Sequence, residues 1–204
     1  MKIALVSTVL AFLAIATLSL AQERVETEEA QRIAHKLNDT IGNPSDAPFL
    51  TEVDPEKPNG FKVREAGFMV LPDRRVAGKL FENVGLELVP LGQLWSLNIS
   101  LAVSGHALPT NQIRLVSVGE TGQSRDVQLY YLAARKDAAG QLQLVIFAKD
   151  PAQPVLTVPI NQVPTTSPAT PIDLTGRQEG EESGLLTIGF LGEYAAEIPV
   201  TKPE

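Results

Sequence analysis

The sequence predicts a mainly β protein: an antiparallel β-sandwich, immunoglobulin-like or related, of about eight to ten strands with one N-terminal amphipathic helix. Apolar and polar residues alternate cleanly over residues 93–104, which is the period of a strand with one buried face. Several shorter runs follow and are separated by brief turn sequences, which favours neighbouring antiparallel strands over a βαβ arrangement. A closed barrel of the same strands is the alternative fold.

The helix is predicted over residues 27–41, where apolar side chains recur at the spacing of one helical face. That face consists of Ala30, Ile33, Ala34, Leu37 and Ile41. Thr27 is the expected N-cap, and the carboxylates of Glu28 and Glu29 favour the positive end of the helix dipole. The apolar stripe is narrow, so we expect the helix to dock on another element.

Composition divides the chain into four segments. Residues 45–59 combine prolines with carboxylates, which indicates an acidic linker or an extended wrap. The expected organisation is a signal peptide at 1–21, an N-terminal helix within 22–44, the acidic linker at 45–59 and the β-sandwich domain at 60–204.

The sandwich domain contains nine candidate strands. They are predicted at 61–71, 86–89, 93–104, 112–118, 126–134, 141–148, 155–160, 185–191 and 194–200. Gly140 is expected at positive φ in a hairpin, and residues 192–193 are expected to form a two-residue turn. Six prolines between residues 151 and 176 favour loops or a sheet edge, because proline donates no ladder hydrogen bond.

The first residues have the pattern of a secretory signal. Lys2 precedes an uncharged stretch over 3–20, and small residues precede the expected cleavage after Ala21. We therefore expect a secreted or periplasmic protein. The alternative is a retained membrane anchor, because a stretch of this length can just span a bilayer core.

Charge and cysteine content exclude several classes of function. The formal charge of −7 and the pI of about 4.9 argue against general nucleic-acid binding, which needs clustered Lys and Arg. The chain has no cysteine, which excludes disulfides, zinc–thiolate sites, iron–sulfur clusters and thiol nucleophiles. An exported chain without disulfides is more typical of bacteria than of animal secretion.

The sequence lacks the common catalytic motifs, including the G-x-S-x-G elbow, H-E-x-x-H, the P-loop and G-x-G-x-x-G. No cofactor or metal is therefore expected. Paired carboxylates in loops are the remaining route to hydrolysis. The candidates are Glu179, Glu181 and Glu182, Asp54 with Glu56, and Glu120 with Asp126.

Four residues are candidates for binding a ligand or partner: His106, Tyr130, Arg74 and Arg75. His106 lies in a predicted loop, where a histidine on a rigid scaffold is available for contacts. Tyr130 and Tyr131 face opposite sides of one strand, so one of them is a candidate exposed ring. Arg74 and Arg75 follow a predicted turn, where adjacent guanidinium groups suit an anion. His35, on the helix, is expected to be an ordinary surface residue.

The polar side of residues 93–104 has an unusual composition. Its small polar residues are Ser96, Asn98, Ser100 and Ser104, without the long charged side chains that solvated strands often carry. This side is predicted to be either solvated or covered by the helix or a partner. Trp95, on the opposite side, is predicted to lie in the core.

We therefore expect an exported, non-catalytic domain with a binding or structural role in the periplasm or cell envelope. Its partner is predicted to be an envelope protein or glycan, with no nucleic acid and no membrane span after signal cleavage. One alternative is an exported glycosidase- or esterase-like hydrolase that uses loop carboxylates. The other is a small carrier of apolar ligands with a barrel fold.

Overall fold

A computed structural model describes residues 22–41, 44–119, 122 and 124–203. This part of the chain forms one α-helix, two short 3₁₀ helices and fourteen strands. The elements are β1 (Glu23–Arg24), α1 (Thr27–Ile41), β2 (Asn59–Val63), β3 (Ala66–Pro72), a 3₁₀ turn (Leu80–Glu82), β4 (Val89–Leu97), β5 (Ser100–Val103), β6 (His106–Ala107), a 3₁₀ turn (Thr110–Gln112), β7 (Arg114–Val118), β8 (Arg125–Lys136), β9 (Leu142–Phe147), β10 (Pro154–Pro159), β11 (Asn161–Gln162), β12 (Ile172–Gln178), β13 (Ser183–Phe190) and β14 (Tyr194–Thr201).

The strands form two antiparallel sheets, which confirms the mainly β prediction and is consistent with a sandwich. The eight-stranded sheet has the order β1-β2-β3-β4-β8-β9-β10. Strand β7 also pairs with β8, on the same side as β9 but nearer to the start of β8. The six-stranded sheet has the order β12-β13-β14-β5-β6, with β11 paired to β14.

The main hydrophobic core lies between the two sheets. The eight-stranded sheet contributes Val70, Leu94, Tyr130, Leu132, Leu144 and Ile146, and the six-stranded sheet contributes Ile172, Leu186, Ile188, Phe190 and Ile198. Nearly all of these side chains are inaccessible to solvent. Burial of each large aliphatic side chain stabilises the fold by about 1.5–3 kcal/mol, so this core holds the sheets together.

A second core covers the outer face of the eight-stranded sheet. Helix α1 and the wrap, defined as residues 45–59, pack against Met69, Leu71, Trp95, Leu129, Tyr131, Val145 and Phe147. The helix buries Ala30, Ala34 and Leu37, which lie on the predicted apolar face. Its bounds coincide with the predicted ones, whereas residues 42–43, predicted to end it, lie outside the described residues.

The wrap is fastened to the sheet rather than free. Thr51 and Val53 are buried, and Val53 forms an isolated antiparallel bridge with Asp73. The ring of Phe49 packs edge-on against Tyr131 and Phe147. The helix, the wrap and the eight-stranded sheet therefore share one core.

Residues 93–104, predicted as one strand, form two strands in different sheets. Asn98 has a φ of 54°, a left-handed conformation that asparagine tolerates better than most residues. It ends β4, and the chain then enters the other sheet as β5. Trp95 consequently lies in the second core and Leu101 in the main core, so the predicted common face does not exist.

The polar residues of this segment have two different environments. Ser96 and Ser100 are buried between the sheets, whereas Asn98 and Ser104 lie exposed at left-handed turns. The prediction of one solvated or covered face is therefore wrong. Two other strand predictions also differ. Residues 61–71 form a hairpin that turns at Arg64, with a φ of 56°, and residues 86–88 precede β4 rather than forming a strand.

Asp73 anchors the wrap through a buried carboxylate. Its two oxygens accept hydrogen bonds from the backbone N–H of Glu52 at 2.8 Å and from Arg75 through Nε at 2.7 Å, Nη2 at 2.8 Å and the backbone N–H at 3.0 Å. Burial alone would raise the pKa of Asp73, but these donors outweigh it and the pKa lies below its usual value. The ionised carboxylate is therefore part of the folded state.

Arg114 makes a second connection to the wrap. Its guanidinium donates to Asp46 Oδ1 at 3.0 Å and Oδ2 at 2.8 Å, a bidentate pair, and also to the Asp46 carbonyl at 3.2 Å. The same guanidinium lies 5.9 Å from the centre of the Tyr131 ring. The hydrogen bond to Arg114 lowers the pKa of Asp46. Strand β7 is thus tied to the wrap at its first residue.

We predict that Asp73→Asn lowers the free energy of unfolding by about 2 kcal/mol at pH 7. The amide nitrogen of asparagine cannot accept the hydrogen bonds that one carboxylate oxygen of Asp73 accepts, and the negative charge beside Arg75 is lost. The pKa of Asp73 is lower in the folded than in the unfolded state, so its contribution is present above about pH 4 and disappears as the pH falls through the folded-state pKa. Urea unfolding at pH 7 and pH 3 tests this. The variant should lose less stability on acidification than the parent, and the exposed Glu87→Gln serves as control. Equal pH dependence in both proteins would contradict this role of Asp73.

Candidate functional site

The face of the eight-stranded sheet that packs against the other sheet becomes exposed to solvent near the start of β8. Along this face of β8, Tyr130 is fully buried, Gln128 is 7% exposed and Asp126 is exposed. Exposure increases in the same direction along the adjacent segment that contains β7, because Ile113 is buried and Leu115 is 46% exposed. The six-stranded sheet therefore stops before the eight-stranded sheet does, and part of the inner face is left uncovered.

A cleft of roughly 420 Å³ lies at this uncovered part, called here the open-end cleft. Its lining consists of Asn98, Leu108, Pro109, Thr110, Ile113, Leu115, Asp126, Gln128 and Pro203. Five of these nine residues are apolar, and the other four bring amide, hydroxyl and carboxylate groups. A concave, largely apolar surface with a few fixed polar groups is typical of a binding site.

A buried hydrogen-bond network holds the side chain of Gln128. The Tyr130 hydroxyl donates to Gln128 Oε1 at 2.5 Å, and Ser96 Oγ lies 3.3 Å from the same oxygen. Ser96 Oγ also lies 2.8 Å from the Ile99 carbonyl oxygen, and Ser100 Oγ lies 3.5 Å from the Tyr130 hydroxyl. Burial raises the pKa of Tyr130, which keeps this hydroxyl protonated as a donor.

This network determines what Gln128 offers to the cleft. Its Oε1 is occupied, and no acceptor among the described residues bonds to Nε2. The amide N–H groups of Gln128, a residue that lines the cleft, are therefore without a partner among the described residues. Asp126, the other residue of β8 that lines the cleft, accepts a hydrogen bond from the Ser117 hydroxyl. The cleft thus offers a fixed amide donor and one carboxylate beside apolar walls.

His106 lies in a smaller, adjoining cleft. This second cleft has a volume of roughly 220 Å³ and is lined by Gly105, His106, Ala107, Glu182, Thr201, Lys202 and Pro203. Pro203 belongs to both clefts. Lys202 Nζ lies 3.3 Å from Glu182 Oε1, and the Thr201 hydroxyl donates to the Glu182 carbonyl at 2.9 Å. The predicted candidate His106 therefore lies beside the open-end cleft but does not line it.

The other predicted binding residues line neither cleft. Tyr130 is fully buried and Tyr131 is equally buried on the other side of the sheet, so the prediction that one ring is exposed is wrong. Arg74 and Arg75 follow β3 at the end away from the clefts. Arg75 is engaged with Asp73 and donates to the Leu50 carbonyl at 3.1 Å, so it fastens the wrap. Arg74 is exposed on the surface.

Four of the predicted catalytic carboxylates, including Glu182, lie in separate surface ion pairs, whereas Asp126 lines the open-end cleft. Glu179 is paired with Arg177 at 3.0 Å, Asp54 with Lys57 at 3.4 Å, and Glu56 with His35 at 2.7 Å. Glu120 lies outside the described residues. Over the described ranges, no group of three or more His, Cys, Asp or Glu side chains is placed to hold a metal ion.

Sequence reasoning missed Gln128 and Leu115, the residues that define the open-end cleft. The available signal was the alternation of side chains along a strand. Gln128 and Tyr130 lie on one face of β8, and Ile113 and Leu115 lie on one face of the segment that leads into β7. This alternation alone does not show where the opposite sheet ends. That boundary depends on the break at Asn98, which the alternating pattern concealed.

Comparison of the chain with protein-family models, curated proteins and solved structures finds no match. In the part of the chain that the structure describes, no helix is long and apolar enough to cross a membrane. The geometry of the open-end cleft is therefore the basis for the function proposed below.

Two adjacent tyrosines provide a test of the buried network. The Tyr131 hydroxyl is buried without a hydrogen-bond partner among the described residues, and burial raises the pKa of Tyr131 to about 12. We predict that Tyr130→Phe lowers the free energy of unfolding by about 1 kcal/mol, because Gln128 loses its donor. Tyr131→Phe should leave stability unchanged or raise it, because an unpartnered polar group is removed. Urea unfolding of both variants measures the difference, and an equal loss in both would contradict the network.

Proposed function

We propose that this chain is an exported, non-catalytic binding domain of the periplasm or cell envelope, and that the open-end cleft is its binding site. The observation that carries the proposal is the side chain of Gln128. It lines the cleft and is held through Oε1 by a buried network, so its amide N–H groups stay without a partner among the described residues. Polar groups that are fixed before a ligand arrives lose little entropy on binding, which favours recognition.

The size and lining of the cleft support binding of a ligand or a partner segment. Its volume of roughly 420 Å³ lies within the range of ordinary ligand sites. Leu115 is one of the three large apolar side chains exposed among the described residues, together with Leu50 and Leu86. Coverage of Leu115 and its apolar neighbours by a partner would remove this surface from water.

Among the expected partners, a protein segment fits this lining better than a glycan. Glycan sites usually expose aromatic rings that stack on the apolar face of a sugar, and the lining residues of the open-end cleft include no aromatic side chain. The acidic balance of the chain supports a partner other than nucleic acid. We therefore favour an envelope protein as the partner.

The two alternative functions receive less support. Four of the carboxylates considered for hydrolysis, Asp54, Glu56, Glu179 and Glu182, pair with basic residues at the surface. Asp126 lines the open-end cleft, where it accepts a hydrogen bond from Ser117. An apolar-ligand carrier would use Trp95 as part of an interior cavity, but Trp95 packs beneath α1 and the wrap in the second core. Two separate sheets also take the place of the closed barrel that this alternative assumed.

The proposed export depends on the sequence of residues 1–21, which lie outside the described residues. The positive start, the uncharged stretch and the small residues before Gln22 support cleavage after Ala21. The absence of cysteine is compatible with an oxidising compartment, because no thiol is exposed to it.

We predict that Leu115→Asp weakens partner binding about tenfold or more, because a charge replaces the exposed half of an apolar side chain that the partner would bury. The control is Leu86→Asp, which changes another exposed leucine, near the opposite end of β8.

The full chain is expressed with its leader, and its intact mass shows whether Gln22 becomes the first residue.

The probes for this experiment are a displayed library of random extended peptides and a mixture of soluble peptidoglycan fragments. Binding is measured by calorimetry and by NMR shifts of the Thr110, Leu115 and Gln128 amides. Binding that shifts these amides and is lost only in Leu115→Asp supports the proposal. No binder in either set, or binders equally sensitive to both variants, would overturn it.

A further inference from the structure

Open edges of β-sheets attract further strands, and folded proteins usually block them. In this chain several edges are blocked by visible means. Strand β10 begins and ends with proline, at Pro154 and Pro159. Along β12, the N–H of Leu174 donates to Asn59 Oδ1 at 3.0 Å and the N–H of Gly176 donates to Gln22 Oε1 at 3.1 Å. These side chains occupy donors that another strand would need.

Strand β7 lacks such protection. Its five residues, Arg114–Val118, include no proline and one charged residue. The Arg114 side chain is bound to Asp46 and is only 14% exposed, so it does not guard the edge. Within the described ranges, the backbone groups of β7 make hydrogen bonds only to β8. Among the described residues, the other side of β7 is therefore an unpaired edge.

The strand register shows which backbone groups point from this edge. Lys136 N–H donates to the carbonyl of Gly85, just before β4, at 2.6 Å, so the even-numbered residues of β8 direct their backbone groups towards β4. The odd-numbered residues then bond to β7 and β9, because these directions alternate along a strand. Leu129, Val127 and Arg125 pair with residues 114, 116 and 118 of β7. The backbone groups of Leu115 and Ser117 therefore point outward.

The unpaired edge adjoins the open-end cleft. The Leu115 side chain lines the cleft, and Ser117, two residues along the same face, donates to Asp126 in the cleft wall. A strand added beside β7 would place alternate side chains on this face, next to the apolar wall. The same residues thus present backbone hydrogen-bonding groups to the edge and side chains to the cleft.

We propose that β7 binds an extended peptide segment of a partner protein by strand addition. Leu115 and Ser117 supply the backbone hydrogen bonds, and the open-end cleft takes an apolar side chain of the segment. This inference rests on the proposed binding function and names its partner class. Recognition by strand addition combines main-chain bonds for affinity with pockets for alternate side chains.

Charge indicates a basic segment. Asp126 is the ionisable residue among those lining the open-end cleft, and the whole chain carries a formal charge of −7. A lysine or arginine beside the apolar residue of the segment would pair with Asp126. A second copy of this chain would instead bring two acidic proteins and two Asp126 carboxylates together, which is unfavourable.

The test compares two substitutions at one position. Ser117→Pro removes the outward N–H of Ser117, which bonds to nothing in the folded chain among the described residues, and proline is tolerated at such an edge position. Ser117→Ala keeps this N–H but removes the hydroxyl that donates to Asp126. The difference between the two variants therefore isolates the backbone donor from the side chain.

The probes are capped nine-residue peptides in which valine alternates with threonine, with a central lysine, glutamate or threonine. Calorimetry with the full chain should show the lysine peptide binding tightest. Ser117→Pro should weaken it about tenfold or more relative to Ser117→Ala, because a bound strand loses a hydrogen bond and meets the proline ring. Circular dichroism and urea unfolding confirm that both variants are folded.

Three results would overturn strand addition. The first is equal affinity of the two Ser117 variants for the peptide, and the second is no binding by any of the three peptides. The third is self-association that increases with protein concentration in analytical sedimentation and that Ser117→Pro abolishes. In that case the β7 edge would pair with a second copy of this chain. If a ligand shifts the Gln128 and Thr110 amides while the Ser117 variants bind it equally, the proposed function survives and only strand addition fails.

Discussion

Burial of the eight-stranded sheet on both of its faces is the constraint on which the rest of the structure depends. Strand β8 lies near the middle of this sheet, with Tyr130 in the core between the sheets and Tyr131 in the core beneath the helix. Over residues 129–134 every side chain of this strand is fully buried. A chain without disulfides depends on such burial and on hydrogen bonds, so the outer layer is needed as much as the second sheet.

The outer layer covers the sheet because charged side chains, together with a main-chain bridge between Val53 and Asp73, fasten an otherwise irregular segment. The wrap contains no strand of its own before β2, and its backbone is held through the carboxylate of Asp73 and the guanidinium of Arg114. Arg114 belongs to β7, so the interaction that secures the wrap also removes the charge that would otherwise guard this strand. The stability of the second core and the openness of the β7 edge are thus connected through one residue.

Local signals were sufficient to predict the helix, and much of the β structure also followed from them. The helix has a single apolar stripe and the expected bounds, and Gly140 has the expected positive φ of 82°. The turn between β13 and β14 was located approximately, since Leu191 and Gly192 adopt positive φ rather than residues 192–193. Signals carried by a few neighbouring residues are therefore reliable here.

Features set by distant contacts could not be predicted in this way. The alternation across residues 93–104 looks continuous because Asn98 is polar and stands at a position where the pattern expects a polar residue. Its backbone is nevertheless left-handed, and the chain passes there from one sheet to the other. The role of Arg75 is decided by a buried carboxylate and by the wrap, neither of which is visible in a two-residue motif. The open-end cleft exists because one sheet ends before the other, a relation between elements that lie far apart in the sequence.

Native-state amide hydrogen exchange tests the central claim, that the sheet is covered on both faces at β8 and unpaired at the edge of β7. The amides of Leu129, Tyr131 and Ala133 should exchange only through global unfolding, because they are hydrogen-bonded in the middle of the sheet. The amides of Leu115 and Ser117 should exchange much faster, while that of Val116, which faces β8, should be protected. Protection of Leu115 and Ser117 equal to that of Leu129 and Tyr131 would contradict the account.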